Sequence, residues 1–400
     1  MPQGPNRLAE SGLPLFFALA NPGEVGITPP PNRIGDSLRT WVRSLSVFQK
    51  EALVASSRTG RVWRLASDEG PYLDGHDAAP CPLAFLSVGM IASYANEITA
   101  LARLRKVEIR ALRLIQDNYY TMTGSMPRRT MVGGALPVEL QVEIDCDLDD
   151  AALNQFLMDA IHAAPLNGLM RGRLDNLFTL SRNGREIAPG RVPRLRGPVE
   201  PDPGDRFDLA RPEPDPAIET LCWPNGATPR KPVPGGTEAA GSSLAAEQNR
   251  TLNIGAICTL RADGLKEITQ LQYSPHGTSF TFLSEEAPAN GGRGRAPDAN
   301  SYVSAGIGFC FMTQFGRFAK MTGLDLGDYR IVQDSHFSLG GASGGTGQPG
   351  RADPIETHVH LQTSESEEVA REMLDIAEQT CFLHALCKTD LKTRLKVRRP

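Results

Sequence analysis

Two cysteines, Cys310 and Cys381, are the residues of this sequence best suited to chemistry. The two halves of the chain align in a single register, which places Cys310 on Ser93 and Cys381 on Ala164. One half therefore carries two thiols at positions where the other half has none. A thiolate can attack a peroxide oxygen or a carbonyl carbon, and a second thiol can then close a disulfide. We expect the functional site in the second half, with these two thiols as its reactive groups.

Two histidines also belong only to the half with the thiols. His384 lies three residues after Cys381, about one helical turn away, and His336 aligns with Tyr119. Histidine can serve as the base for a cysteine nucleophile. A pair of Cys310 and a histidine would support hydrolysis of a carbonyl substrate, or cleavage of a C–C bond next to a carbonyl. Hydrolysis is therefore the alternative to thiol redox chemistry.

A reactive thiolate also needs a nearby cation, which lowers the pKa of the thiol. Arg58 and Arg61 of the first half would reach Cys310 across the contact between the halves. Arg293 and Arg295 lie in the loop that precedes the cysteine segment. The sequence leaves the choice among these four arginines open.

The sequence predicts neither a metal nor another cofactor. Cys381, His384 and Cys387 offer three soft ligands, and His358 and His360 share a strand face, but zinc sites use four ligands in tight pairs.

The net charge of −4 gives no basic surface of the kind that binds nucleic acid. A non-catalytic protein that binds a small molecule is the third alternative.

The composition is that of an ordinary soluble globular protein. Of 400 residues, 40% are hydrophobic and 22% are charged. No apolar run approaches the roughly 20 residues of a membrane span. Seven cysteines, an odd number in a long chain, do not suggest a secreted disulfide scaffold. We expect a cytoplasmic protein that does not associate with membranes.

The repeated unit is about half of the chain. This size predicts a duplicated domain, because the repeat units of solenoid proteins are much shorter. We expect an extended arm over residues 1–40, a first domain over 41–188 and a second over 251–400. Between the domains, residues 189–250 contain twelve of the 31 prolines, and this composition predicts a linker that runs along the surface.

Both halves repeat one order of elements, and this order predicts an α+β fold. Residues 83–104 and 301–321 are apolar on all sides, which is typical of a buried central helix. Alternating patterns predict strands over residues 51–65, 107–120, 138–144, 268–283, 324–337 and 355–361. Ser364 and Glu367 have the form of a capping box and predict the start of the last helix. Each half should form an antiparallel sheet with its helices on one face, and the basic tail 388–399 should be a solvated end.

The residues around Cys310 resemble the OsmC/Ohr family, the osmotically inducible protein C and organic hydroperoxide resistance proteins. The dipeptide Ala296-Pro297 precedes a helical segment that ends at Cys310, and Cys381 follows in the final helical stretch. In the first half, residues 82–93 keep the spacing from proline to cysteine with serine at its end, and Ala164-Pro165 stands where the family often has Cys-Pro. The resemblance covers residues 50–185 and 255–397.

This resemblance implies two tandem OsmC-like domains packed as a pseudo-dimer in one chain, with one competent and one degenerate site. It implies that Cys310 attacks a small organic hydroperoxide, that Cys381 resolves the product as a disulfide, and that a dithiol reduces that disulfide. The molecule would be a monomeric pseudo-dimer or a homodimer of such chains. One departure keeps the hydrolase alternative close: Ohr-type members have a glutamate ten residues before the thiol, where this chain has Asn300.

Overall fold

Two large sheets enclose two long helices in the part of the chain that the computed structural model describes, residues 4–46, 48–233 and 242–399. The helices are α1 (Arg7–Ser11), α2 (Pro22–Val25), α3 (Pro82–Arg105), α4 (Asp150–Ala163), α5 (Ala299–Thr322), α6 (Glu367–Thr380) and α7 (Phe382–Cys387). Short 3₁₀ helices lie at Pro71–Leu73, Pro165–Met170, Gly204–Leu209 and Pro288–Asn290. The predicted α+β class is confirmed.

The predicted strand ranges all contain strands, and the structure adds further strands in the arm, the first half, the linker and the tail. Up to the linker they are β1 (Phe16–Ala18), β2 (Gly35–Ser44), β3 (Lys50–Ser56), β4 (Val62–Ser67), β5 (Ile109–Ser125), β6 (Val132–Ala135), β7 (Glu139–Cys146), β8 (Asn176–Arg182) and β9 (Arg185–Ile187). From the linker onwards they are β10 (Cys222–Ala227), β11 (Glu247–Leu260), β12 (Lys266–Ser274), β13 (Thr278–Ser284), β14 (Tyr329–Ser338), β15 (Ile355–Leu361) and β16 (Arg394–Arg398).

Each sheet takes strands from both halves of the chain. Sheet one has the order β1-β4-β3-β2-β14-β15-β8-β9, and sheet two has the order β10-β13-β12-β11-β5-β7-β16 with β6 beside β5. The pairs are antiparallel except β15–β8 in sheet one and β16–β7 in sheet two, which are parallel. The expectation of one antiparallel sheet for each half is therefore wrong. Each sheet contains strands from both halves, and each contains one parallel pair.

The exchange of strands is extensive. Strand β2 pairs with β14 over nine residue pairs, and β5 pairs with β11 over thirteen. The alternation of apolar residues shows which face of a strand is buried, but it does not identify the neighbouring strand. The two halves consequently interlock, and the predicted domains 41–188 and 251–400 do not form separate sheets.

The central helices α3 and α5 lie between the sheets and cross at two glycines. A Cβ added to Gly89 would lie 2.5 Å from Val303 Cγ2, and one added to Gly306 would lie 2.8 Å from Phe85 Cβ. Glycine at both positions lets the two backbones approach closely. By length and composition α3 could cross a membrane, but 89% of its most apolar window is buried inside the protein. A core helix of a globular protein has this character.

The arm and the linker contribute to the sheets. Phe16 of β1 is buried in the main core and lies 5.6 Å from Phe85, ring centre to ring centre. In the linker, β10 pairs with β13, and Phe207 packs on Trp41 at the outer face of sheet one. Both segments are therefore integral to the fold, and the arm is less extended than the sequence predicts.

The last helical region begins two residues later than predicted. Ser366 caps α6, because its hydroxyl accepts a hydrogen bond from the Val369 amide at 3.3 Å, whereas the Ser364 hydroxyl donates to Asp325. The capping box predicted at Ser364 is wrong for this reason. Cys381 has an extended backbone and separates α6 from α7. The basic tail also forms a strand, β16, beside β7.

Candidate functional site

Cys310 and Cys381 are in direct contact. Cys310 lies near the middle of α5, and Cys381 lies at the break between α6 and α7. Their sulfur atoms are 3.5 Å apart, with the Cys381 thiol donating to Cys310 Sγ. Both residues are buried and both are reduced. The S–S bond of a disulfide is about 2.05 Å long. The two sulfur atoms therefore need to approach each other by only about 1.5 Å to form a disulfide.

The Cys381 thiol is buried at the break between the last two helices, and this burial affects its pKa. Burial raises the pKa of the Cys381 thiol well above its ordinary value, and its hydrogen bond to Cys310 and the charge of Cys310 raise it further. The neighbouring backbone amides of Leu383 and His384 oppose this effect. Cys381 is therefore held as a protonated thiol.

A cavity of about 440 Å³ lies beside Cys310. One wall is a face of α5, whose lining residues follow the spacing of one helical face: Cys310, Thr313, Gln314 and Arg317. Other walls come from the first half and from β11 and include Glu69, Tyr72, Cys81, Leu83, Arg250 and Leu252. The site of the second half is consequently built with side chains of the first.

Lys50 supplies a buried cation to this site. It is the first residue of β3, and its Nζ donates to the Phe48 carbonyl at 2.5 Å. Burial lowers the pKa of Lys50, while Glu69, Asp68 and the Cys310 thiolate favour its charged form and raise the pKa again. An opposite charge next to a thiolate stabilises it.

Glu69 connects the lysine to the cavity wall. Its carboxylate accepts hydrogen bonds from the Tyr72 hydroxyl at 2.6 Å and from the Thr313 hydroxyl at 3.0 Å. Burial raises the pKa of Glu69, and Lys50 lowers it. The Thr313 bond joins the carboxylate of the first half to the helix that carries Cys310.

Two guanidinium groups complete the lining. Arg317 is buried, and its Nε donates to the Ser243 carbonyl at 2.9 Å. Burial, together with the neighbouring charge of Arg250, lowers the pKa of Arg317 to about 9. Burial also lowers the pKa of Arg250. Since an arginine remains a cation at neutral pH, the cavity favours a negative charge that forms inside it.

The four arginines predicted from the sequence lie elsewhere. Arg58 bonds to an asparagine beside Ser93, while Arg61 and Arg295 form ion pairs with carboxylates outside the cavity. Arg293 is exposed in its loop. The structure brings none of them to the lining of the Cys310 cavity, and Lys50, Arg250 and Arg317 were missed.

His336 points away from the thiols. Gln333 and Ser335 of β14 bond to Ser304 of α5, so these alternate residues face the helix. His336 lies on the opposite face of the strand, where its Nδ1 is 2.9 Å from Ser37 Oγ. The structure therefore does not bring His336 together with Cys310.

His384 is close to Cys381 in sequence, but its ring lies in an apolar site. The ring centre is 4.7 Å from that of Phe311 and 5.5 Å from that of Phe178. Neither ring nitrogen has a hydrogen-bond partner among the described residues. Burial lowers the pKa of His384 to about 4. No histidine is found among the described residues that line the cavity, and nowhere in the described ranges do three His, Cys, Asp or Glu side chains converge as for a metal.

A second cavity, also about 440 Å³, surrounds Ser93. Glu286, Asn96 and Asp298 line it at the positions that correspond to Glu69, Thr313 and Cys81. This cavity has the same place in the fold but no thiol. The register that aligns Ser93 with Cys310 therefore describes equivalent positions in space as well as in sequence.

Comparison with known proteins locates the family resemblance in the second half. No curated protein and no solved structure matches the chain. Residues 292–396 match the family model for OsmC-like protein, and this stretch contains both Cys310 and Cys381. This part of the chain is therefore similar to OsmC-like proteins.

Proposed function

We propose that this protein reduces organic hydroperoxides, with Cys310 as the attacking thiolate and Cys381 as the resolving thiol. The observation that carries the proposal is the contact of 3.5 Å between the two buried sulfurs, with Cys381 as the donor. We also propose that the chain is a duplicated single-chain pseudo-dimer in which only the cavity with the thiols is reactive. The OsmC-like match over residues 292–396 supports a role of this kind.

In the first step, the Cys310 thiolate attacks the terminal oxygen of the hydroperoxide. The O–O bond breaks, the sulfur becomes a sulfenic acid, and the organic group leaves as an alkoxide that takes a proton to form the alcohol. Lys50 stabilises the thiolate before the attack. Arg250 and Arg317, which line the cavity, stabilise the negative charge that forms on the leaving oxygen.

In the second step, the sulfur of Cys381 attacks the sulfur of the sulfenic acid. A disulfide forms, the S–O bond breaks, and hydroxide leaves with the proton of Cys381 as water. An external dithiol then reduces the disulfide and restores both thiols. The apolar lining, which includes Leu83, Leu252 and Ile254, favours a peroxide with an organic group over hydrogen peroxide.

The cysteine hydrolase is the weaker candidate. A hydrolase needs a base within hydrogen-bond reach of its nucleophile, and the ring of His384 lies between two phenylalanines with a pKa of about 4. No observation favours a purely binding role, since the two thiols lie at a distance suited to forming a disulfide.

The proposal is tested by the consumption of cumene hydroperoxide in the presence of dithiothreitol. We expect Cys310→Ser, which reproduces the serine of the other cavity, to abolish consumption. Without dithiothreitol, Cys381→Ser should still consume one equivalent of hydroperoxide, because Cys310 remains to attack it. Cys146→Ser is the matched control, because Cys146 is buried outside both cavities. Full activity of Cys310→Ser would contradict the proposal, and ester hydrolysis that requires Cys310 but tolerates Cys381→Ser would favour the hydrolase.

A further inference from the structure

A third thiol, Cys81, lines the cavity that contains Cys310. It belongs to the first half and is the residue that precedes α3. Its side chain makes no capping hydrogen bond, and the Ala84 amide donates to the Cys81 carbonyl at 3.0 Å. Residues Pro82 and Phe85, at the start of α3, lie within 3.3 Å of the Cβ position of Gly306, which is one turn before Cys310. The start of α3 and the Cys310 face of α5 are thus neighbours.

The position of Cys81 is an unusual place for a cysteine. The corresponding residue of the other half is Asp298, whose carboxylate caps α5 by accepting a hydrogen bond from the Ser301 amide at 2.7 Å. Aspartate and serine are among the preferred residues at the start of a helix, and losing such a cap costs about 1 kcal/mol. The half that faces the reactive thiols has a weaker cap that is chemically reactive. Capping alone does not account for a thiol there.

Tyr120 provides an independent observation at the same place. Its side chain is fully buried, and its hydroxyl has no hydrogen-bond partner among the described residues. The hydroxyl is in electrostatic contact with all three thiols, Cys310, Cys81 and Cys381. A buried hydroxyl without a hydrogen-bond partner is energetically costly. A sulfur that becomes a thiolate and moves towards Tyr120 during the reaction would provide an acceptor for this hydroxyl. The corresponding residue of the other half is Phe337, which has no hydroxyl.

The three thiols differ in how much they are exposed. Cys381 is 0% exposed, Cys310 is 2% exposed and Cys81 is 5% exposed. Once Cys310 and Cys381 form a disulfide, an external dithiol has to reach a sulfur atom, and Cys381 offers none. Cys81 is the member of the group that lies nearest to solvent.

We propose that Cys81 is a third redox thiol, which exchanges with the Cys310–Cys381 disulfide and presents the oxidised pair to the reductant. The inference rests on the proposed peroxidase function. The Cys81 sulfur attacks Cys310 Sγ, a bond forms between these two sulfurs, and the bond between Cys310 and Cys381 breaks. The proton of Cys81 passes to the departing Cys381 thiolate. No electrons are gained or lost overall, and the external dithiol then reduces the Cys81–Cys310 disulfide.

The protonation of Cys81 suits a thiol that acts late in the reaction. Burial raises the pKa of Cys81 well above its ordinary value, and the carboxylate of Glu69 raises it further. The thiol therefore stays protonated in the reduced protein and does not compete with Cys310 for the peroxide.

Peptide mapping of the Cys381→Ser variant tests the inference. After one equivalent of cumene hydroperoxide, we expect a disulfide-linked pair of peptides that contain Cys81 and Cys310. The double variant Cys81→Ser/Cys381→Ser should instead retain a sulfenic acid that dimedone traps. Serine caps helices well, so loss of the disulfide in the double variant does not reflect loss of the helix.

The rate of reduction provides the second measurement. In Cys81→Ser, the Cys310–Cys381 disulfide should form as in the unaltered protein, but dithiothreitol should reduce it at least about tenfold more slowly, since the most exposed of the three thiols is missing. Cys146→Ser should be reduced at the normal rate. A sulfenic acid as the sole product in Cys381→Ser, together with an unchanged rate in Cys81→Ser, overturns the inference and leaves the peroxidase standing. Unchanged thiols in the unaltered protein overturn both.

Discussion

In the proposed mechanism, the buried side chain of Lys50 stabilises the Cys310 thiolate. Lys50 has a counterpart in the other half: Lys50 pairs with Ser67 across its hairpin, and Lys266 pairs with the corresponding Ser284. Of the two lysines, Lys50 is the one in electrostatic contact with Cys310. The two positions therefore allow a matched comparison.

We predict that Lys50→Met slows the reaction of Cys310 with hydroperoxide at pH 7 by about tenfold, because an adjacent opposite charge stabilises a thiolate. Lys266→Met should leave the rate unchanged. Stopped-flow measurement of sulfenic acid formation in both variants checks this, and an equal loss of rate in both would assign the effect to lost packing.

His384 makes stability dependent on pH. Its pKa is about 4 in the folded protein and near 6.5 in an unfolded chain, so the unfolded state binds a proton first as the pH falls. The stabilisation is complete above pH 6.5 and is lost between pH 6.5 and 4, with a total of about 3 kcal/mol. Glu378 and Lys388, the charged groups in electrostatic contact with the ring, have opposite effects on the pKa of His384.

Urea unfolding of His384→Phe at pH 7 and pH 4.5 measures this contribution. We expect the loss of stability between the two pH values to shrink by roughly 2–3 kcal/mol relative to the unaltered protein. Hydroperoxide reduction should persist, since the ring makes no hydrogen bond to either thiol. A loss of activity as large as that of Cys310→Ser would restore His384 as a catalytic base.

The reactive residues differ in how visible they are in the sequence. Comparison of the halves located Cys310 and Cys381, because each replaces an unreactive residue. Glu69 aligns with Glu286. Because both halves have glutamate at this position, the comparison of the halves suggests a role in folding and does not distinguish Glu69 as a site residue. Lys50 and Lys266 are out of register by a single position, so an alignment without gaps does not pair them. Arg317 follows Cys310 by two helical turns, a spacing that could have revealed it.

At the scale of elements, the crossing of α3 and α5 positions Cys310. Gly89 lies in this crossing, where a Cβ would be 2.6 Å from the Ala299 carbonyl oxygen and 2.5 Å from Val303 Cγ2. Gly308 of α5 is a matched position, because the three atoms nearest to a Cβ there belong to the side chains of Val42, Ile331 and Gln333.

We predict that Gly89→Ala destabilises the protein by about 1–3 kcal/mol, since overpacking forces the two backbones apart. Gly308→Ala should cost less, because side-chain ends can move. Disulfide formation after hydroperoxide treatment should also slow in Gly89→Ala, where α5 is displaced. Thermal unfolding and peptide mapping of both variants measure these effects, and equal stability of the two would argue against the crossing as the constraint.

The helices could be predicted because their apolar character is continuous, whereas their ends were less certain. Ser364 and Ser366 both precede acidic residues, and only the contact of Ser364 with Asp325 distinguishes them. The hydrogen bonds that decide the N-cap come from a loop distant in sequence. The break at Cys381 was likewise invisible, since neither proline nor glycine marks it.

At the scale of the whole molecule, the exchange of strands makes the site a joint product of both halves. Lys50, Glu69 and Cys81 come from the first half, and Cys310 and Cys381 from the second. The sequence predicted the repeat and a site near the junction of its copies. It did not predict that β2 pairs with β14, because the alternation of apolar residues is the same for either neighbour.

We predict that residues 242–400 do not fold alone, because β14 would expose an unpaired edge in place of β2. Coexpression with residues 1–241 should restore a complex with the circular dichroism spectrum and the hydroperoxide activity of the intact chain. Size-exclusion chromatography of each fragment and of the mixture provides the measurement. A stable, active 242–400 fragment would show that the interlocked sheets are not required.

The most direct test of the account is peptide mapping of the intact protein after one equivalent of cumene hydroperoxide, with free thiols blocked before digestion. The account predicts that the disulfide first formed joins Cys310 and Cys381, whose sulfurs are 3.5 Å apart in the reduced protein. Cysteines outside the cavity, such as Cys146 and Cys258, should be recovered as blocked thiols. Recovery of Cys310 and Cys381 as blocked thiols, with the peroxide unconsumed, would contradict it.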